Sequence, residues 1–265
     1  YCVVFALAPE ELLAGASPRL HFEHHVQAPF GADKRGEVEY SGKELGALLV
    51  MLAKGSCQTL ELLFAPDRAV HVSSPLWQEL RARRRGFLTL RCARQYLGFV
   101  GEKVAGVGRE LDACAAGGAP ADAARMRSVS KHLYQAWHKV FELSRVLRSG
   151  EPAVSLSGDE RDFVLGLRLR PPGSAAEARE FLAELEARRR GLKGELEAAG
   201  EAGSLPAEVD VEDLCAWLRS VRLRQLARRA GPYRPRQARS ECTGDVGPAE
   251  RVQPDPAAPH AGQKN

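Results

Sequence analysis

The chain has 265 residues, with 38 Lys and Arg side chains against 34 Asp and Glu side chains. The net charge of +4 is too small to predict, by itself, binding to nucleic acid or to a membrane surface. Because 44% of the residues are hydrophobic, the composition excludes a wholly disordered chain and suffices for one large or two modest domains. No apolar run approaches the ~18 residues of a membrane-spanning helix, so we expect a soluble protein with no membrane partner.

The cysteines are scattered along the chain, and none of the six belongs to a Cys-x-x-Cys pair. In a chain of this length that spacing argues against both a disulfide scaffold and a zinc ribbon. We therefore expect reduced thiols and an intracellular protein, for which cytoplasm and nucleus are equally allowed.

The first residues predict a β-strand. Tyr1 to Leu7 is a nearly continuous apolar and β-branched run, which is typical of a strand covered on both faces. The chain opens on Tyr rather than Met, and no basic leader precedes the strand. We therefore expect no signal peptide. We also expect the sequence to be a fragment or a processed product that starts inside a folded element.

Two segments follow before the first clear helix. His21 to His25 is rich in metal-ligating side chains, but nothing near it fixes a coordination geometry, so a polar loop is favoured over a zinc site. Glu37 to Tyr40 alternates in polarity and predicts a second strand.

A capping box opens the first helix, because Ser41 is followed three residues later by Glu44. Leucines at helical spacing follow this box, and Gly55 is placed to end the helix. Ala69 to Val72 predicts a brief edge strand, and Ser74 before a proline predicts another helix start.

Helices account for most of the remaining chain. Apolar periodicity predicts two long helices, within 87–116 and 125–148. Three further helix starts are predicted at the capping residues Ser157, Ser174 and Asp210. After residue 230 the periodicity stops and prolines accumulate, so 231–265 is predicted to be a disordered tail.

Four stretches, in the same order along the chain, resemble the predicted nucleotidyltransferase family of the DNA polymerase β superfamily. Leu-Ala-Lys-Gly-Ser-Cys-Gln-Thr-Leu-Glu-Leu-Leu-Phe at 52–64 resembles the family's Lys-Gly-Asn-Pro segment followed by Leu-Glu-Leu-Leu-Phe. Lys-His-Leu-Tyr at 131–134 and Glu-Pro-Ala-Val at 151–154 are similar to its Lys-His-x-Tyr helix and the following Gly-Glu-Leu-Pro-Val. Leu-Pro-Ala-Glu-Val-Asp at 205–210 is similar to the Leu-Pro-Glu-x-Pro-Asp before its last helix.

The resemblance implies an α+β fold. It would comprise an incomplete small nucleotidyltransferase-type sheet in an α/β portion at 1–75, followed by a mainly α-helical portion at 76–230 and the tail at 231–265. We expect this order of parts from the strand and helix signals as well as from the resemblance.

The implied activity is transfer of a nucleoside monophosphate from an NTP to an acceptor. That chemistry uses Mg²⁺ held by two carboxylates on one strand and a third on its neighbour. By the family's register Glu39 is the third carboxylate, while the first two would lie upstream of Tyr1. Cys2 and Val3 stand where an Arg-Gly pair is usual. The chain from Tyr1 onwards therefore lacks the first two metal ligands, and Mg²⁺ belongs only to a more complete version.

The resemblance also implies a nucleotide cleft, to which Lys131, His132 and Tyr134 would contribute from one helix and Lys54 from the end of another. Each position also has a purely structural interpretation. Glu39 would be an acidic residue at a strand edge, and Lys54 a basic residue favoured at a helix C-terminus. The three residues at 131–134 would be a packed His flanked by surface polar groups.

Two alternatives to an enzyme remain open. Departures from the family's motifs favour a non-catalytic adaptor or binding protein on the same scaffold, in particular His138 in place of a usual Arg. Two arginine clusters, at 81–94 and 219–239, predict an RNA or tRNA contact, although charge runs are more often solvated faces.

Overall fold

The computed structural model describes residues 2–7, 21–26, 38–116 and 123–230, and side chains within 2–7, 41–115 and 123–228. These residues form a mainly helical protein with one small sheet, an α+β arrangement. The predicted disordered tail at 231–265 lies outside the described residues. Contacts group the described residues up to Arg229 into one compact unit.

The sheet has three strands in the order β1-β3-β2. Strand β1 (Cys2–Phe5) pairs in parallel with β3 (Val38–Glu44), and β2 (His21–Val26) pairs with β3 in the antiparallel sense. The prediction of a polar loop at His21 to His25 was wrong, because β3 supplies backbone partners that local sequence does not reveal.

Burial along β1 differs from the prediction. Val4 and Phe5 are half-buried, but Cys2 is exposed and Val3 is 44% exposed. The expectation of a strand covered on both faces was therefore wrong at its first two residues.

Strand β3 runs directly into helix α1 (Leu45–Ala53). The helix N-cap is Glu44, whose carboxylate accepts hydrogen bonds from the amides of Gly46 (2.6 Å) and Ala47 (3.3 Å). The predicted cap at Ser41 was wrong, because the strand continues through that residue.

Gly55 ends α1 as predicted and starts the turn into α2 (Cys57–Phe64). Its φ of +82° is a left-handed conformation, and a Cβ atom there would lie 3.0 Å from the backbone of Cys92. Both constraints require glycine. Ser56 caps α2 by accepting from the amide of Thr59 (3.3 Å).

The rest of the described chain forms further helices. They are α3 (Pro75–Ala82), α4 (Leu90–Ala116), α5 (Ala123–Ser149), α6 (Gly158–Leu169), α7 (Ala175–Glu201) and α8 (Val211–Ala230). Short 3-10 turns occupy Asp67–Ala69 and Arg84–Phe87. The predicted edge strand at Ala69 to Val72 was wrong, since the first of these turns covers its start and no strand follows it there.

Helices α4, α5 and α7, of 27 residues each, pack against one another and carry much of the core. Tyr96 and Val100 of α4, Leu133 and Val140 of α5 and Leu185 of α7 are fully buried. In the described part of the chain, no single helix has the length and apolar character of a membrane span; α1 and α2 meet those two criteria only as a pair, bent by 116°.

Candidate functional site

The backbone of Glu39 lies in the central strand of the sheet. Glu39 pairs with His25 of β2 on one side, while β1 runs parallel to β3 on the other, starting with Cys2 opposite Ser41. The side chain of Glu39 lies outside the described set. Among the side chains that the structure describes, no group of three His, Cys, Asp or Glu residues is arranged to hold a metal ion.

Lys54 is exposed at the C-terminus of α1, where its backbone amide donates to the carbonyls of Val50 and Leu52. This is the position at which the helix dipole favours a cation. Its proposed contact with phosphate therefore stays a prediction.

The structure separates the three predicted cleft residues of α5. Lys131 is exposed, whereas His132 packs on α4, since a Cβ at Gly106 would lie 3.2 Å from its imidazole. The ring of Tyr134 instead lies under the guanidinium of Arg168 from α6, 5.8 Å from its centroid. The side chains of His132 and Tyr134 thus contact different helices.

His132 is held in a setting that disfavours its protonated form. Desolvation lowers its pKa from 6.5, and the cations Lys103, Arg109 and Lys131 lower it further, against the opposing effect of Glu110. A neutral imidazole packed on a glycine is a structural contact between α4 and α5. The expectation that His132 faces packed surface agrees with this contact.

A buried group of charges lies where α2, α4 and α5 meet. Lys139 of α5 forms an ion pair with Glu61 of α2 and donates to Glu142, one turn further along α5, at 3.1 Å. The side chain of Lys139 is 7% exposed and that of Glu142 is fully buried. His138 places Nε2 3.2 Å from the other oxygen of Glu142. We call Glu61, His138, Lys139 and Glu142 the Lys139 cluster.

The aromatic and thiol groups beside this cluster are kept in their neutral forms. Tyr96 is fully buried with its ring 5.9 Å from the ammonium of Lys139, and burial, followed by the charge of Glu142, raises its pKa well above 10. Burial likewise raises the pKa of Cys57, and raises that of Cys92 to about 12. Burial therefore lowers the thiolate fraction of both residues at neutral pH, and with it their reactivity.

The Lys139 cluster fastens α2 to the long helices. A buried ion pair that loses one partner leaves an uncompensated charge, so the packing of α2 against α5 depends on both partners of this pair. The side chain of Glu61 is only 22% exposed, because it pairs with Lys139. The sequence contains one sign of this cluster, because Lys139 is a charged residue that lies between the core positions Ala136 and Val140.

Among the described side chains, six of the ten arginines in the two clusters are paired within the protein. Their partners are carboxylates of other elements: Arg81 with Asp67, Arg83 with Asp213, Arg85 with Glu151, Arg91 with Glu208, Arg222 with Glu44 and Arg224 with Glu79. These guanidiniums bridge different elements of the fold. Among the six pairs only Arg222–Glu44 is buried, and each of the others has an exposed partner and contributes little to stability. The predicted RNA contact then depends on residues outside these pairs.

No protein-family model, no curated protein and no solved structure matches this chain.

Proposed function

We propose that this chain is the body of a nucleotidyltransferase-like protein whose metal-binding strand is an upstream extension of β1. The observation that supports it is the register between β1 and β3. Cys2 pairs with Ser41 in a parallel ladder, so extending that ladder backwards by two positions brings the position immediately before Tyr1 opposite Glu39. A carboxylate at that position would be the direct register partner of Glu39.

This register suits the proposed chemistry. Neighbouring strands lie about 4.8 Å apart, a spacing from which two carboxylates can share a hard divalent cation. Glu39 alone does not make a two-metal site, and no step of the reaction is assigned to the residues from Tyr1 onwards. The proposal therefore predicts an acidic residue directly upstream of Tyr1 and a second one two positions earlier.

For the nucleotide, the contacts favour Tyr134 over His132. The Tyr134 ring is half-buried beside Arg168, and Lys131 lies three residues before it on the same side of α5. A guanidinium, an ammonium and an aromatic hydroxyl together match a phosphate and a sugar. His132 faces α4, so in this proposal it packs between α4 and α5 and does not bind the nucleotide.

The test uses the chain extended by the residues that its transcript encodes upstream of Tyr1. We expect release of pyrophosphate from NTPs that requires Mg²⁺ and falls by at least about 100-fold in Glu39→Gln. Glu212→Gln, at an exposed position in the first turn of α8, is the matched control and should leave the rate unchanged.

A different outcome would favour the non-catalytic alternative. If the extended protein binds ATP but releases no pyrophosphate, or if no acidic pair precedes Tyr1, the enzymatic proposal is overturned. An adaptor or binding protein on this scaffold, or an RNA-binding protein, would then remain.

A further inference from the structure

A surface groove of about 710 Å³ lies between helices α4 and α7, away from the sheet and from the Lys139 cluster. Its apolar lining comes from Leu90 and Leu97 of α4 and Leu196 of α7. The volume falls within the range of small-molecule sites, roughly 300–1,000 Å³.

Glycines keep this groove open. A Cβ built at Gly98 meets nothing within 4 Å, so the space above that residue is empty. At Gly200, on the facing helix, a Cβ would already contact the side chain of Leu90 at 3.4 Å. Glycine weakens a helix interior by about 1 kcal/mol relative to alanine. Gly98 lies inside α4, so the empty space above it comes at a cost to the stability of that helix.

The charges around the groove are unbalanced. Arg94, Arg189 and Lys193 line it together with the two carboxylates Glu197 and Glu201. Lys193 forms a long ion pair with Glu197, at 3.8 Å. Among the described residues, neither Arg94 nor Arg189 has a carboxylate within ion-pairing distance, whereas six of the ten described arginines of the two clusters have one.

Arg189 also reaches across the groove. Its guanidinium lies against Gly101 of α4, 3.0 Å from where a Cβ would be, although the residue itself belongs to α7. The two unpaired guanidiniums, one from each helix, thus lie along the same groove. Guanidinium binds carboxylate and phosphate through paired hydrogen bonds.

We propose that this groove binds an amphipathic anion, with an aliphatic chain against the leucines and a carboxylate or phosphate head held by Arg94 and Arg189. The leucine lining favours an aliphatic body over a nucleobase, since no aromatic side chain lines the groove on which a base would stack. This site is independent of the proposed nucleotidyltransferase activity.

The experiment titrates the full chain with dodecyl phosphate and with dodecanoate, both below their micelle concentrations, by isothermal calorimetry. We expect saturable one-site binding of at least one probe, and the better probe identifies the head group. Gly98→Leu places a bulky side chain in the groove, at a position where a Cβ meets nothing within 4 Å, and should weaken binding at least about tenfold. The double variant Arg94→Gln/Arg189→Gln should weaken it by about tenfold to a hundredfold.

Arg179→Gln is the matched control, because Arg179 is an exposed residue of α7 that does not line the groove. Circular dichroism should give the same helix content for all variants. Three results would overturn the proposal: no saturable binding of either probe, binding that Gly98→Leu leaves unchanged, or equal binding of inorganic phosphate. ATP binding that competes with the probe and is lost in the same variants would also overturn it, in favour of a nucleotide site.

Discussion

Arg222 of α8 forms an ion pair with Glu44, the buried N-cap of α1, and donates from its second terminal nitrogen to the carbonyl of Leu7 at 2.7 Å. One oxygen of Glu44 accepts from Arg222 while the other accepts from the amides that open α1. This one contact joins the end of β1, the junction of β3 with α1, and α8.

Replacing Arg222 by methionine should therefore destabilise the protein strongly. Glu44 is 2% exposed, and a buried carboxylate that loses its cation costs about 3–5 kcal/mol. Urea unfolding followed by circular dichroism measures the change. Arg224→Met is the control, because its pair with Glu79 is about half exposed and should matter by less than about 1 kcal/mol. Equal losses in the two variants would contradict the buried role of Arg222.

The Lys139 cluster predicts a second large effect. Lys139→Met should lower the free energy of unfolding by about 3–5 kcal/mol, because it leaves Glu61 and Glu142 close together without their shared cation. Adding Glu142→Gln to that variant should recover part of the loss, since it removes one of the two unpaired charges. Lys131→Met, at an exposed site of the same helix, should change stability by less than about 0.5 kcal/mol. A Lys139 variant as stable as this control would show that the cluster does not hold α2 in place.

Gly55→Ala should be more costly than Gly150→Ala. Both glycines have positive φ values, +82° and +71°, so alanine is strained at either site by about 1–2 kcal/mol. Only at Gly55 would the new Cβ also press on the backbone of Cys92, whereas the space at Gly150 is open. The difference between their unfolding free energies isolates the contact with α4. If the two variants lose the same stability, that contact is unimportant.

The cysteines should differ widely in reactivity. Cys2 and Cys215 are exposed, while Cys57 and Cys92 are buried with raised pKa values, about 12 for Cys92. Because the thiolate is the reactive species, N-ethylmaleimide at about pH 7.5 should label the exposed pair at least about 100-fold faster than Cys92. Peptide mapping by mass spectrometry measures each site separately. Fast labelling of Cys92 in the folded protein would contradict its burial.

His132 should make the protein less stable in mild acid. Burial and neighbouring cations lower its folded-state pKa below the 6.5 of an unfolded chain, so below that pH the unfolded state binds more protons. The stability that the neutral imidazole contributes is complete above pH 6.5 and is lost as the pH falls towards the folded-state pKa. His132→Asn should therefore reduce the loss of stability between about pH 7.5 and 5. An NMR titration of the imidazole with a midpoint above 6.5 would contradict the lowered pKa.

Local signals predicted several helix starts correctly, although the predicted cap at Ser41 was wrong and Ser157 begins α6 without a side-chain capping bond. Ser74 and Ser174 cap their helices through bonds to the amides of Trp77 (3.2 Å) and Glu177 (3.1 Å), and Asp210 does the same for α8 (2.9 Å). Such caps depend on residues three apart, which the sequence displays directly. Strand β2 was missed because its hydrogen bonds go to β3, a partner more than ten residues away in the chain.

The candidate site was less predictable for the same physical reason. The spacing of residues along one helix predicts a shared cleft for His132 and Tyr134. In the structure, His132 contacts α4 and Tyr134 contacts Arg168 of α6, so their side chains are separated. The Lys139 cluster was missed because Glu61 and Lys139 come together only when α2 packs on α5. Contacts between elements have no local signature in a single sequence.

The bond from Arg222 to Leu7 spans 215 residues of sequence. During synthesis on a ribosome, the first strand therefore emerges long before the helix that fastens its end, and the growing chain has to hold β1 in place without that bond. A polypeptide that ends before α8 would leave both Glu44 and the carbonyl of Leu7 without their guanidinium partner. Cellular quality control would therefore encounter it as an incompletely folded chain.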